Sequence, residues 1–305
     1  MAGIRRVVAG VDGSESALHA ALWAAREARV LGVPLLLTYA LHLPDATAPP
    51  IETPDYALRQ VREGSELASR VAARVVDQHP EVVVEVETSP LTPVHRLVDL
   101  SAPDTLVVTG TRGHGGFVGM LLGSVSRALA MHARGPLVVV RGPEAENARG
   151  PVVLGVGLSL NDSAIEFAFA AARRHGAPLR VVRAWIPAMP LAGLGLPGAA
   201  ALGVPGGPGV LGEPDLDDND EKEAGDVARV VEPVRLRYQD VEMTVVAKVG
   251  NAVPVLNDEC ARTRLIVVGA HRRRGPFAVG AGYVAEGLLA HSPVPVAVIP
   301  VCDPA

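Results

Sequence analysis

Two short stretches of this 305-residue chain carry residue types suited to a phosphorylated ligand. One runs Gly110-Thr111-Arg112-Gly113-His114-Gly115-Gly116 and resumes at Gly123-Ser124-Val125-Ser126. Glycines let a backbone approach a ligand closely, and successive N–H groups can ring a phosphate. Ser124 and Ser126 stand where a helix should start, and there free N–H groups and the helix dipole favour an anion. Arg112, His114 and Arg127 would add positive charge. The same composition also fits a flexible glycine-rich connection with ordinary capping serines. The other stretch is Val11-Asp12-Gly13-Ser14-Glu15-Ser16. Gly13 permits a tight turn, and Ser14 or Ser16 could cap the following helix. Asp12 would stand at the carboxyl end of a strand, facing a ligand. It reads equally as a turn aspartate that only fixes the backbone.

Machinery for fast chemistry is missing from both stretches. No G-x4-G-K-[ST] loop occurs, and no lysine lies near either glycine loop. No base for an attacking water can be nominated, so rapid phosphate hydrolysis is not expected. H-E-x-x-H and G-x-S-x-G are both absent. His19, His42, His95 and His175 therefore read as structural or surface residues. Gly193-Leu194-Gly195-Leu196-Pro197-Gly198 fits the dinucleotide pattern G-x-G-x-x-G, but it neither follows a credible strand nor opens a helix.

The elements that would position these loops repeat along the chain. Val7-Val8-Ala9-Gly10-Val11 is echoed by Val152-Val153-Leu154-Gly155-Val156, and Leu106-Val107-Val108-Thr109-Gly110 by Leu265-Ile266-Val267-Val268-Gly269. Gly135-Pro136-Leu137-Val138-Val139-Val140 has its echo at Val294-Pro295-Val296-Ala297-Val298-Ile299. The copies lie roughly 145 to 159 residues apart, which indicates a duplicated domain. The boundary falls near Gly142 to Gly150, giving domains at 1–143 and 150–305. In the first half, apolar runs at 5–11, 35–41, 81–87, 105–109 and 136–141 predict strands. Helical spacing marks 15–30, 56–79, 91–101 and 124–133. Alternating strands and helices predict a parallel sheet with helices on both faces and ligands beyond the strands' carboxyl ends. The second half follows the same order, with a Gly/Pro-rich, acidic insertion near 187–222 that predicts a loop.

Bulk composition narrows the function classes. The length suits two domains of about 150 residues. Net charge is −5 with both signs mixed throughout, which argues against nucleic acid as a partner. Aromatic residues make up only 3%, too few for base-stacking platforms. No apolar run reaches the roughly 20 residues of a membrane helix. The two cysteines, Cys260 and Cys302, form neither a metal pattern nor a disulfide framework. With no signal-peptide core at the start, a reducing cytoplasm is expected.

The spacing Gly110-x2-Gly113-x9-Gly123-Ser124 resembles the G-x2-G-x9-G-[ST] signature of the universal stress protein family. Val8-Ala9-Gly10-Val11-Asp12-Gly13-Ser14 looks like that family's first strand and turn. Gly123 to Leu129 and Pro136 to Val140 look like its last helix and strand. The resemblance covers both halves and implies two tandem doubly wound α/β domains, each a five-stranded parallel sheet in the order 3-2-1-4-5. It also implies ATP, with or without Mg2+, and stress-linked roles with little or no catalysis. Carried over residue by residue, Gly10 and Val11 would line the nucleotide, and Asp12 would meet the ribose or metal-phosphate region. Ala40 and Leu41 would lie near the adenine. Gly110 and Gly113, with Thr111, Arg112, His114, Gly115 and Gly116 in the same loop, would approach ribose and phosphate. Gly123, Ser124, Val125 and Ser126 would hold the phosphates. Strands 136–141 and 295–299 would join the halves into an intrachain pseudo-dimer, with a homodimer and unidentified protein partners as further options.

The second half departs from the signature. Gly157 stands where Asp12 does, Arg272 replaces Gly113, Tyr283 replaces Ser124 and Ala285 replaces Ser126. One ATP-binding site per chain is expected, in a regulatory or interaction module. A nucleotide-independent scaffold and a slow ATPase are the alternatives.

Overall fold

Val7, Val8 and Ala9 are completely buried, as a strand covered on both faces requires. They form β1 (Arg6–Gly10) in a computed structural model, which describes residues 3–41, 54–113, 122–143, 149–157, 162–186, 216–259, 263–270 and 282–300. The first half continues with α1 (Glu15–Leu31), β2 (Leu35–Ala40), α2 (Pro54–Gln78), β3 (Val84–Ser89), α3 (Pro93–Leu100), β4 (Thr105–Gly110), α4 (Ser124–His132) and β5 (Leu137–Val140). The second half repeats the order with β6 (Val152–Gly155), α5 (Asp162–Arg174), β7 (Leu179–Trp185), α6 (Leu216–Arg235), β8 (Met243–Val249), α7 (Ala252–Asp258), β9 (Leu265–Ala270), α8 (Tyr283–His291) and β10 (Val296–Pro300).

All ten strands belong to one sheet, ordered β3-β2-β1-β4-β5-β10-β9-β6-β7-β8. Each half thus has the expected order 3-2-1-4-5, with parallel pairing throughout. The halves meet at an antiparallel seam in which Val139 faces Val296, Val138 faces Ala297 and Leu137 faces Val298. Helices α1, α2, α5 and α6 cover one face, in a core that includes Trp23, Phe167 and Phe169. The other face is packed by Leu97, Leu129, Leu256 and Leu288 from α3, α4, α7 and α8. Both cores run unbroken across the seam. Among the described residues no helix is long and apolar enough to cross a membrane.

Two expectations shift. The strand expected at 81–87 lies at Val84–Ser89, because Val82 instead closes a turn by donating its N–H to the His79 carbonyl. The acidic residues after the Gly/Pro-rich segment are not all loop: Leu216 to Glu221 open α6. Carboxylates suit the positive end of a helix, and Asp220 accepts a 2.5 Å bond from the Trp185 indole N–H. Residues 187–215, including the G-x-G-x-x-G match, lie outside the described residues.

Candidate functional site

The turn after β1 is built around Asp12. Its Oδ1 accepts from the Ser14 N–H at 3.0 Å and from the Ser14 hydroxyl at 2.7 Å. The Ser14 hydroxyl oxygen in turn accepts from the Ala17 N–H, so Ser14, and not Ser16, caps α1. Gly13 sits at φ +86°, and a Cβ there would press into the Leu67 side chain of α2. A glycine is therefore required at that corner for backbone reasons alone.

The loop after β4 leans on this turn. A Cβ at Gly110 would strike the hydroxyl and backbone of Ser16, and one at Gly113 would strike Oδ2 of Asp12. The two glycines thus bring the β1 and β4 loops side by side. Ser16 was expected only as a possible cap; its hydroxyl accepts weakly from the Arg112 N–H at 3.5 Å. Thr111 is buried and continues the sheet by donating to the Val140 carbonyl. His114, Gly115 and Gly116 lie outside the described residues.

Helix α4 starts against the same place. The Gly123 N–H donates to the Thr111 carbonyl at 2.7 Å, and Gly123 caps α4 without any side-chain bond. The first helical bond runs from Arg127 N–H to the Gly123 carbonyl, leaving the N–H groups of Ser124, Val125 and Ser126 as the helix's open first turn. Ser124 is exposed at that turn. Ser126 points the other way: its buried hydroxyl donates to the Gly110 carbonyl at 2.8 Å and lies 3.1 Å from that of Thr109. It can meet an anion only through its backbone.

The strand ends complete the surround. Val11 is buried and donates its N–H to Thr38, while Leu41 is buried and donates to Ser89. Ala40, beside Ser89 in the register, is half-buried. A cleft of about 490 Å3 opens between α1 and α2, with Asp12, Tyr39, Glu63, Leu67 and Arg70 in its walls. Burial and the nearby charges of Asp12 and Glu63 push the Tyr39 phenol above its ordinary range. On the opposite flank, burial and the neighbouring Arg112 draw Arg141 below its ordinary value. Tyr39 escaped the sequence reading because an aromatic at a strand end signals packing as readily as a binding wall.

The second half builds something else in the equivalent place. Sheet register sets Leu179 beside Val152 as Leu35 sits beside Val7, so Arg183 occupies the position of Tyr39. Counted back from β3 and β8, Glu223 of α6 occupies that of Gly64 in α2. Gly64 leaves room for the Tyr39 ring, whereas Glu223 bonds the buried Arg183 at 3.2 Å. The Arg183 guanidinium also reaches the Val156 carbonyl at 3.5 Å, next to Gly157. Gly282 caps α8 at φ +97°, whereas Gly123 caps α4 at φ −71°. Tyr283 is 79% exposed where Ser124 stands in the first half. Arg272, Arg273 and Arg274 lie outside the described residues.

The profile of the Universal stress protein family matches this chain twice, over residues 3–141 and 149–300. The chain belongs to the universal stress protein family. A universal stress protein of Mycobacterium bovis is 32% identical over 323 residues, covering 98% of this chain and 96% of that protein. One from Mycobacterium tuberculosis is 29% identical, covering 96% of each. The crystal structure of a universal stress protein from Archaeoglobus fulgidus superposes with a TM-score of 0.69 at 19% identity, covering 99% of this chain and 98% of that one. The tandem arrangement is therefore shared along the full length of these relatives.

Proposed function

We propose that the first half binds ATP and that occupancy of this site is a regulatory state read by protein partners. One observation carries the reading. The open first turn of α4, capped by a glycine without a side chain, lies against the Arg112–Gly113 backbone and beside Asp12. Such a turn offers N–H donors and positive dipole charge to phosphates. Arg112 adds a full charge, and the base would lie near Ala40 and Leu41 at the end of β2. Asp12 is the carboxylate that would meet the ribose or a phosphate-bound Mg2+, an ion that commonly relies on one or two carboxylates plus phosphates. Family membership and the G-x2-G-x9-G-[ST] spacing support ATP as the nucleotide. Among the described residues no side chain of this surround stands as a base toward an attacking water, and the chain has no lysine near either loop, which supports slow hydrolysis at most.

The second half lacks the acid and fills the equivalent wall with its own Arg183–Glu223 pair. One nucleotide per chain follows. Calorimetric titration at millimolar ATP tests this: a stoichiometry near one, lost on Asp12→Ala, is expected. No binding, or two equally tight sites, would sink the proposal. That internal ion pair also favours a second reading, a scaffold in which neither half needs nucleotide. A partner bound equally well by wild type and Asp12→Ala, with and without ATP, would select it.

A further inference from the structure

The seam strands alone do not dictate which half pairs with which. Leu137-Val138-Val139 and Val296-Ala297-Val298 are alike in size and polarity. Either strand could pair with a copy of itself from another chain. The charged residues flanking the seam are not alike on its two sides.

Glu27 of α1 crosses to the end of α5. Its Oε1 lies 2.6 Å from Nε2 of His175 and its Oε2 lies 3.3 Å from Arg174. The three side chains are only 5, 10 and 14% exposed. The helix ends fix their counterparts. Val33 donates to Ala28 in the first half as Ala177 donates to Ala172 in the second, so Ala28 matches Ala172. Glu27 then matches Ala171, while Arg174 and His175 match Val30 and Leu31. The matching positions are therefore all apolar.

Arg141, just past β5, makes a second contact across the seam. Its guanidinium donates to the carbonyls of Ser292, Leu289 and Ala290, at 3.0, 3.1 and 2.8 Å, and so closes the carboxyl end of α8. The registers of β5 on β4 and β10 on β9 match Arg141 with Pro300. Proline has no side-chain donor, but helix-end carbonyls close both α4 and α8, so this contact holds the seam without choosing between the halves.

We propose that the Glu27 contact sorts the halves: the seam face of each half accepts the other half and rejects its own kind. Two first halves paired face to face would bury two Glu27 carboxylates against Val30 and Leu31. Two second halves would set two Arg174–His175 pairs over Ala171. A buried charge without its partner is strongly disfavoured. Any assembly of copies through this face is then N-half to C-half, by exchange of halves between chains.

The test uses the full chain with a protease site placed between Pro143 and Arg149, nicked after folding. Isotope-labelled and unlabelled nicked proteins are mixed in moderate urea, returned to buffer and read by native mass spectrometry. Mixed N·C pairs are expected, with N·N and C·C below about a tenth of their statistical share, a bias of about 1.4 kcal/mol or more. Like pairs at statistical share would overturn the proposal. The exchanged variant Glu27→Arg with Arg174→Glu should pair its own halves yet refuse wild-type halves, an orthogonality that loss of stability alone does not produce. Free mixing with wild type would overturn it. If the exchanged chain does not fold, Glu27→Gln decides, since it removes the charge and keeps the size: N·N pairs should rise several-fold, and an unchanged distribution overturns the proposal.

Discussion

A methyl group at position 113 would collide with the carboxylate of Asp12, and the size of the effect follows from what holds that carboxylate. Oδ1 of Asp12 accepts from both the N–H and the hydroxyl of Ser14, so Oδ2 cannot swing away from a Cβ without disturbing both bonds. A hydrogen bond to a charged group contributes about 1.5–3 kcal/mol, and water takes over part of that at a half-exposed site. Gly113→Ala should therefore destabilise the protein by about 1–3 kcal/mol, or roughly 2–12 °C in Tm for domains of this size. Urea unfolding of a double-mutant cycle isolates the cause. In an Asp12→Ala background the same substitution should cost less than about 0.5 kcal/mol, because the obstructing group is gone. Asp12→Asn keeps a group of the same size and should keep the penalty. Equal losses with and without the carboxylate would refute the reasoning and place the strain in the loop backbone.

Other perturbations have defined outcomes. Burial raises the pKa of Glu27, but His175 and Arg174 outweigh it and hold the carboxyl below its ordinary 4.5. Its contribution to stability is then complete above that value and is lost as pH falls through the lower folded value; urea midpoints from about pH 6 to about pH 3 should decline less steeply in Glu27→Gln. Glu223→Ala strands the buried Arg183 guanidinium and should cost about 2–3 kcal/mol by urea denaturation, less than a fully buried pair because Glu223 is 33% exposed. Gly135→Ala drives a methyl into the Ala102 and Thr105 carbonyls, which are backbone and cannot turn aside. A loss of about 3 kcal/mol, or failure to accumulate folded protein, is expected.

The parallel halves were legible because buried strands print as continuous apolar runs, and the duplication showed every run twice. β3 was displaced because it is an edge strand: Glu85 and Glu87 interrupt its apolar pattern, while Val82 and Val83 extend the run ahead of it. Asp12 could be set at the end of the first strand, and Gly110, Gly113 and Gly123 stood out through the family signature that their spacing resembles. The direction of the Ser126 hydroxyl could not, because residues at a helix start face either the ligand or the strand behind, and only packing against Thr109 decides. Nor could Glu27 be linked to His175, since nothing local marks a contact made across 148 residues of chain.

The antiparallel seam also sets an order of events during synthesis. β5 is made long before β10, with roughly 160 residues between them, or about 8–30 s at ordinary translation rates. Throughout that interval the first half can fold its own sheet, but the Leu137–Val140 edge has no neighbour on its outer side. An apolar strand edge of this kind is a template for pairing with other chains. On a crowded polysome, neighbouring nascent chains would present the same edge to one another. The Glu27 carboxylate, which disfavours pairing of two first halves, guards this edge until the chain's own closing strand arrives.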